Sequence, residues 1–202
     1  MLLDADQPNA QAGSSMLSVI IATDESERAL VATLAALVSG ATAGAIREAI
    51  VADKGSRDQT AEVADGAGCR VLVTPAPLAG RLRAAAAVAR AGWLMFLQPG
   101  TAPDVTWIPE VMRFLEHTDL AGQAGSQAAV FSPPAQATAS LVPLRGLFRR
   151  GPKPKQGLVI AKRLYESLGG HRDGAADCEA DLLRRLGRRR IVVLRTAAII
   201  VD

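Results

Sequence analysis

The sequence predicts an α/β fold: a single domain whose mostly parallel central sheet is flanked by helices. Three observations carry that expectation. Short runs of branched apolar residues alternate with segments whose apolar residues recur at helical spacing, the pattern of strands joined by crossover helices. The chain has 202 residues, enough for one domain with its own core and little room for two. Hydrophobic residues make up 49% and aromatics only 3%, so Ala, Val, Leu and Ile build the core, which suits helices packed closely on strands. So much apolar surface excludes a disordered chain. The scarcity of aromatics excludes a base-stacking platform, and no nucleic-acid partner is expected.

Residues 1–15 are polar, with Asp4 and Asp6 where a secretory signal needs positive charge, and read as a flexible leader. The domain then spans 16–202. Leu17–Ala22 is a continuous apolar run, as in a strand buried on both faces. Leu30, Leu34, Leu37 and Val38 recur at helical spacing, giving a helix over Glu27–Val38 with Ser26 near its N-cap. The alternation repeats with a strand at Ala49–Asp53, a turn at Gly55-Ser56, a helix at Asp58–Ala67, a strand at Arg70–Thr74, a helix at Arg81–Ala91 and a strand at Trp93–Leu97. Right-handed crossovers make such a series a doubly wound parallel sheet. Ligands bind such sheets beyond the carboxyl ends of the strands, so Thr23–Glu27, Asp53–Asp58, Pro75–Arg83 and Gln98–Asp104 are the segments to inspect.

A helix is expected over Trp107–His117, which closes a first half at 16–117, and a short strand over Ala128–Phe131 in the second half, 118–202. Residues 132–156 are rich in Pro, Ala and Arg and read as a long connection. Periodicity returns with Leu158–Ala161, a helix over Arg163–Leu168 stopped by Gly169-Gly170, a helix over Asp177–Leu186 stopped by Gly187, and a strand at Ile191–Leu194.

The net charge is +3, but between Arg145 and Arg195 Lys and Arg outnumber Asp and Glu by about nine, which points to an anionic partner near the C-terminal third. Cys69 and Cys178 have neither a CxxC spacing nor a paired His, so neither a zinc site nor a disulfide scaffold is expected and a reducing cytoplasm is the simplest placement. His117 and His171 are isolated, and each is read as a solvent-facing or helix-end residue. Ala135–Arg150 interleaves Leu141, Leu144, Leu147 and Phe148 with arginines. It either covers the sheet, the favoured reading, or lies peripherally on an anionic bilayer near a lipid-linked acceptor.

Asp53 ends the second strand, with Gly55, Ser56, Asp58 and Thr60 on the turn that follows. A carboxylate there can hold a base or ribose, or Gly55 can simply make the turn while Ser56 or Asp58 caps the helix. Leu17-Ser-Val-Ile-Ile-Ala-Thr23, Ala49-Ile-Val-Ala-Asp53-Lys-Gly-Ser-Arg-Asp58-Gln-Thr60 and Trp93-Leu-Met-Phe-Leu97, in that order, resemble the nucleotide-binding half of family 2 glycosyltransferases of the GT-A fold. The resemblance continues through Pro103 and Trp107, resumes at Gln156-Gly157-Leu-Val-Ile, Leu168-Gly169-Gly170 and the acidic helix Asp177–Leu186, and covers most of 17–200. It implies a single GT-A-like, Rossmann-like domain. The implied activity passes a sugar from a nucleotide-sugar donor to a hydroxyl acceptor with inversion at the anomeric carbon. It places the nucleotide near Thr23, Glu25, Asp53, Gly55, Ser56, Arg81 and Thr101, and the catalytic acid-base role on Glu179, where the family carries an Asp, with Asp181 as the second candidate.

Where the family carries an acidic motif whose last Asp helps hold Mg or Mn on the donor diphosphate, this chain has Gln98-Pro99-Gly100-Thr101. These side chains supply no anionic oxygen, so no metal ligand is assigned. Fixed cations can take the metal's place: Arg81 and Arg83, or Arg149, Arg150, Lys153 and Lys155. The opposite reading of these residues is a solvated helix face and a solvated loop. Asp177 and Asp181 can likewise pair with Arg184 and Arg185 along the helix. The alternative function is a non-catalytic relative, a nucleotide-binding or protein-interaction module. A nucleotidyltransferase is set aside, since Asp24-Glu25-Ser26-Glu27 has the wrong charge for a triphosphate.

Overall fold

In the first strand, β1 (Leu17–Thr23), the consecutive residues Val19, Ile20 and Ile21 are all fully buried, so both faces of the sheet are covered there. The computed structural model describes residues 16–133 and 156–201. Along the chain β1 is followed by α1 (Glu27–Thr42), β2 (Ile46–Asp53), α2 (Thr60–Gly66), β3 (Arg70–Val73), α3 (Leu78–Val88), β4 (Trp93–Leu97), β5 (Thr101–Pro103), α4 (Trp107–Leu120) and β6 (Ala128–Ser132). After the connection come β7 (Leu158–Ala161), α5 (Lys162–Ser167), α6 (Cys178–Leu186), a 3-10 turn at Arg188–Arg190 and β8 (Ile191–Ile200).

The strands form one sheet in the order β3-β2-β1-β4-β7-β6-β8-β5. β1 pairs in parallel with β2 on one side and β4 on the other, and β2 pairs in parallel with β3. The chain therefore winds outward from β1 to β3 and returns across it to β4. This leaves a crevice at the carboxyl ends of β1 and β4, where a doubly wound sheet changes direction. Beyond β4 the sheet is mixed: β7 is antiparallel to β4 and β6, β8 is parallel to β6, and β5 is antiparallel to β8. The sheet is mostly parallel, as the alternation predicts: β1 to β4 pair only in parallel among themselves, and the antiparallel pairs are those that β7 and β5 make. All four residues of β7 are buried, and an apolar run carries no information about strand direction.

Three further differences have local causes. β8 runs to Ile200 rather than stopping at Leu194, because the polar Arg195 and Thr196 break the apolar run without breaking the pairing; the register shifts between Val130 and Ser132 instead. β5 exists only because Thr101, Ala102 and Pro103 pair with Ile200, Ile199 and Ala198. Helix α1 continues four residues past the expected Val38 end, through Gly40, where a β-carbon would lie 2.3 Å from Cζ2 of the fully buried Trp107. Only glycine admits the indole. No helix among the described residues is long and apolar enough to cross a membrane, and Cys69 and Cys178 are free and buried.

Gly40→Ala is expected to destabilise the protein by about 1–3 kcal/mol in urea denaturation, because overpacking against Trp107 outweighs the roughly 1 kcal/mol gained in helix propensity. A more stable variant would mean that the ring is not seated against α1.

Candidate functional site

Thr23 and Asp53 are register partners at the ends of β1 and β2. Asp53 is 1% exposed, and its carboxylate accepts from Thr23 Oγ1 at 2.7 Å, Ser56 Oγ at 2.6 Å and the backbone N–H groups of Gly55 and Ser56 at 2.8 and 2.7 Å. Burial alone would raise its pKa. The donors from Ser56, Thr23 and Gly55 outweigh that and hold it below the usual carboxylate value.

The loop after β1 is stitched to the loop after β2 by a second set of bonds. Glu25 accepts from the N–H groups of Arg57 at 2.8 Å and Asp58 at 3.2 Å, while its own N–H donates to Ser56 Oγ at 2.9 Å. These contacts hold Glu25 at φ +49, a left-handed conformation that a residue with a β-carbon adopts at some cost. Ser26 N–H donates to Thr60 Oγ1 at 2.9 Å, Glu27 N–H donates to Asp58 Oδ2 at 3.1 Å, and Lys54 pairs with Asp24 at 2.7 Å. From α3, the buried guanidinium of Arg81 donates to the carbonyl oxygens of Thr23 at 2.5 Å and Ala52 at 2.9 Å. Burial lowers the pKa of Arg81, and Asp24 and Asp53 oppose that shift.

A cleft of about 360 Å³ opens at the carboxyl ends of β1 and β4, with Asp24, Glu25, Ser26, Leu78, Gln98 and Glu179 on its walls. A second, of about 310 Å³, lies between the start of α3 and residues 172–179, and it shares Leu78 and Glu179 with the first. Glu179 thus stands where the two meet. It lies in the first turn of α6, whose N-cap Asp177 accepts from the N–H groups of Glu179 at 3.0 Å and Ala180 at 2.9 Å. The Gln98 side-chain amide donates to Glu179 Oε2. Burial pushes the Glu179 carboxyl up to about 7; Asp177 adds to the rise and the Gln98 bond opposes it.

Several expected contacts are corrected by this geometry. Arg81 is spanned between carbonyls of two strand ends, so it supports the loops rather than reaching for phosphate. All four carboxylate bonds of Asp53 go to the protein, so Asp53 shapes the turn instead of presenting free oxygens. Asp181 faces the basic end of α6, accepting from Arg184 and, at 2.7 Å, from Arg185 Nε. Arg185 in turn donates to the carbonyls of Leu168 and Gly170, both at 2.6 Å. Asp181 is therefore a latch between α6 and the preceding loop. Thr101 is fully buried in β5, and its hydroxyl has no partner among the described residues. His171 is buried, not solvent-facing: its Nδ1 lies 2.9 Å from Tyr165 Oη, and burial, with Arg185 and Arg83, lowers its pKa to about 4. His117 is exposed in the last turn of α4, as expected. Arg83 donates to the His171 carbonyl at 2.6 Å and pairs with Asp173. Thr23, Glu25, Gly55 and Ser56 do gather at one place. Arg149, Arg150, Lys153 and Lys155 lie outside the described residues, as do the leader and most of the 132–156 connection.

A divalent metal does not fit Gln98–Thr101. The Gln98 amide is turned to Glu179, and Gly100 is held at φ +83 with the Val201 carbonyl oxygen 2.8 Å from where a β-carbon would stand. Its N–H donates to the Ala29 carbonyl at 2.9 Å and its carbonyl accepts from Val201 N–H at 2.8 Å. Among the described residues no group of three His, Cys, Asp or Glu is placed to hold a metal ion. The residue that sequence reasoning missed is Gln98, because an amide in an expected acidic segment reads as a loss, and only its distance from Glu179 shows the contact.

The family model of Glycosyl transferase family 2 matches residues 18–168. No curated protein matches the chain by sequence. Among solved structures, glucosyl-3-phosphoglycerate synthase from Mycobacterium tuberculosis, in complex with Mn2+, uridine diphosphate and glucosyl-3-phosphoglycerate, is similar with a TM-score of 0.63 and 23% identity over 91% of this chain and 70% of that one. The same synthase with phosphoglyceric acid gives a TM-score of 0.65 at 23% identity over the same shares. S. aureus TarS, residues 1–349, gives 0.67 at 14% identity over 92% of this chain and 60% of that one. At these identities the likeness is one of fold.

The raised carboxyl of Glu179 fixes the sign of a stability effect. With a folded pKa of about 7 against an ordinary carboxyl value of 4.5, the folded state holds a proton that the unfolded state has already lost, so stability falls as pH rises between those values. Glu179→Gln is expected to raise Tm relative to the parent at pH 8 and to change it little at pH 4. An equal effect at both would place Glu179 in water.

Proposed function

The chain belongs to glycosyl transferase family 2, and on that premise we propose that it transfers a sugar from a nucleotide-sugar donor to a hydroxyl acceptor with inversion, without a divalent metal. The observation that carries this reading is Glu179, a carboxyl poised near neutrality where two clefts meet. The donor nucleotide lies over the stitched loops, with Glu25, Gly55 and Ser56 around it and the buried Thr23, Asp53 and Arg81 holding those loops from below. The acceptor approaches from the second cleft. Glu179 takes the proton of the acceptor hydroxyl as its oxygen bonds to the anomeric carbon; the bond from that carbon to the donor phosphate breaks, and its electron pair leaves with the nucleoside diphosphate. Attack opposite the leaving group inverts the centre.

The leaving diphosphate needs compensating positive charge. None of the described residues lining the first cleft is Lys or Arg, so the role is assigned to Arg149, Arg150, Lys153 and Lys155. The same acidic lining favours the second reading, a family member that binds a nucleotide or partner without turnover. The uridine diphosphate held by the mycobacterial synthase makes uridine donors the first to test.

Release of nucleoside diphosphate from a panel of uridine and other nucleotide sugars, with sugar and lipid hydroxyl acceptors, tests the proposal. Turnover is expected to rise with pH through about 7 and to fall about 10²- to 10⁴-fold in Glu179→Gln. Nucleotide binding without any turnover would favour the non-catalytic module. Asp53→Ala strands the donors of Thr23, Gly55 and Ser56 and is expected to weaken nucleoside diphosphate binding by about 1–3 kcal/mol; unchanged affinity would move the nucleotide away from these loops.

A further inference from the structure

Gln98 opens the segment where the family carries its acidic motif, yet its side chain makes a specific contact: the amide donates to Glu179 Oε2. The segment that carries it is pinned on every side. Thr101 N–H donates to the Gln98 carbonyl at 3.0 Å, Gly100 is tied to Ala29 and Val201, and Pro99 fixes the backbone between them. Glu179, by contrast, has a long side chain on the first turn of a helix, and its position between the clefts is not set by its own backbone. We propose that Gln98 is a positioning residue that holds the Glu179 carboxylate at the junction of the two clefts and favours its ionised form, so that an amide, not an acid, is what position 98 requires.

The chemistry of the surroundings explains why the donor matters. Around Glu179 stand Asp177 and the Cys178 thiol on its own element, Asp24 and Glu25 across the first cleft, and Arg172 and Asp173 on the wall of the second. Asp24 is paired with Lys54 and Asp173 with Arg83, so Asp177 is the acid whose charge bears on Glu179. A nitrogen with two protons and no lone pair can only donate, which stabilises the carboxylate form against that field and against burial. An acid at position 98 would face Glu179 with a second carboxylate, and the two would share a proton, as close carboxyl pairs do. A base at 179 and an acid at 98 are therefore incompatible where no metal stands between them. This inference rests on the role proposed for Glu179.

Carbon-13 NMR titration of the Glu179 side-chain carboxyl in the full chain, assigned by its loss in Glu179→Gln, is the test. It is run on the parent, Gln98→Ala, Gln98→Asn and Gln98→Glu, with amide spectra to show that each is folded. The midpoint is expected to rise by about one pH unit when the donor is lost in Gln98→Ala, to return partway in Gln98→Asn, which keeps a shorter amide, and to rise further in two coupled steps in Gln98→Glu. The acid limb of the turnover profile should move the same way. A midpoint unmoved in both Gln98→Ala and Gln98→Glu overturns the inference, even in a protein that transfers sugar. If the parent transfers none but the midpoints move as expected, it is the transferase reading that fails and the contact that stands.

Discussion

The buried carboxylate of Asp53 takes four hydrogen bonds from Thr23, Gly55 and Ser56, and in doing so ties the ends of two neighbouring parallel strands to the turn that leaves one of them. Unpaired in so dry a place, the charge would cost several kcal/mol; with two hydroxyls and two backbone N–H groups aimed at it, it becomes the fixed point of the site. The bonds that Glu25 accepts from the N–H groups of Arg57 and Asp58, and those that Ser26 and Glu27 donate to Thr60 and Asp58, propagate from that point. Arg81 completes it from beneath by gathering the carbonyls of Thr23 and Ala52. Two connections that would otherwise move independently form one surface.

The second half of the chain brings its carboxylate to that surface by a different device. Arg185 bridges Asp181 to the carbonyls of Leu168 and Gly170, and Arg83 reaches from α3 to the His171 carbonyl and Asp173. Tyr165, His171 and Phe96 pack ring against ring beneath, with centroids 5.0–5.5 Å apart. These latches seat the loop before α6 against the first half, and Asp177 then starts the helix so that Glu179 falls between the clefts. The base role proposed for Glu179 depends on this seating, since a base misplaced by an ångström loses much of its rate advantage.

The pattern of the first half was legible because strands covered on both faces are largely apolar: Trp93–Leu97 is so throughout, and Leu17–Thr23 is so except at Ser18 and Thr23. The strand ends were legible too, so Thr23 and Asp53 were expected together. What periodicity does not carry is where a polar side chain sends its hydrogen bonds. Arg81 sits in an Ala-rich helix with little contrast between its faces, so nothing marked its guanidinium as buried. Glu179 and Asp181 are two residues apart and so do not share a helix face; one meets the cleft and the other meets Arg185, but the acidic run alone left both open. Thr101 and β5 depend on a strand ninety-odd residues later, through the pairing of Thr101 with Ile200, and no local signal announces that.

The same pairing bears on the metal question, because Val201 backs Gly100 where the family's acidic segment lies. Calorimetric titration of the full chain with uridine and other nucleoside diphosphates, once with manganese and once with a chelator, tests most directly whether the stitched loops hold a nucleotide without a metal. The expected result is binding of equal affinity in both conditions that weakens as salt is raised, since side-chain cations would then carry the phosphates. Affinity that arises only with manganese would contradict it and would require a carboxylate such as Glu25 or Glu179 to leave its present partners for the ion.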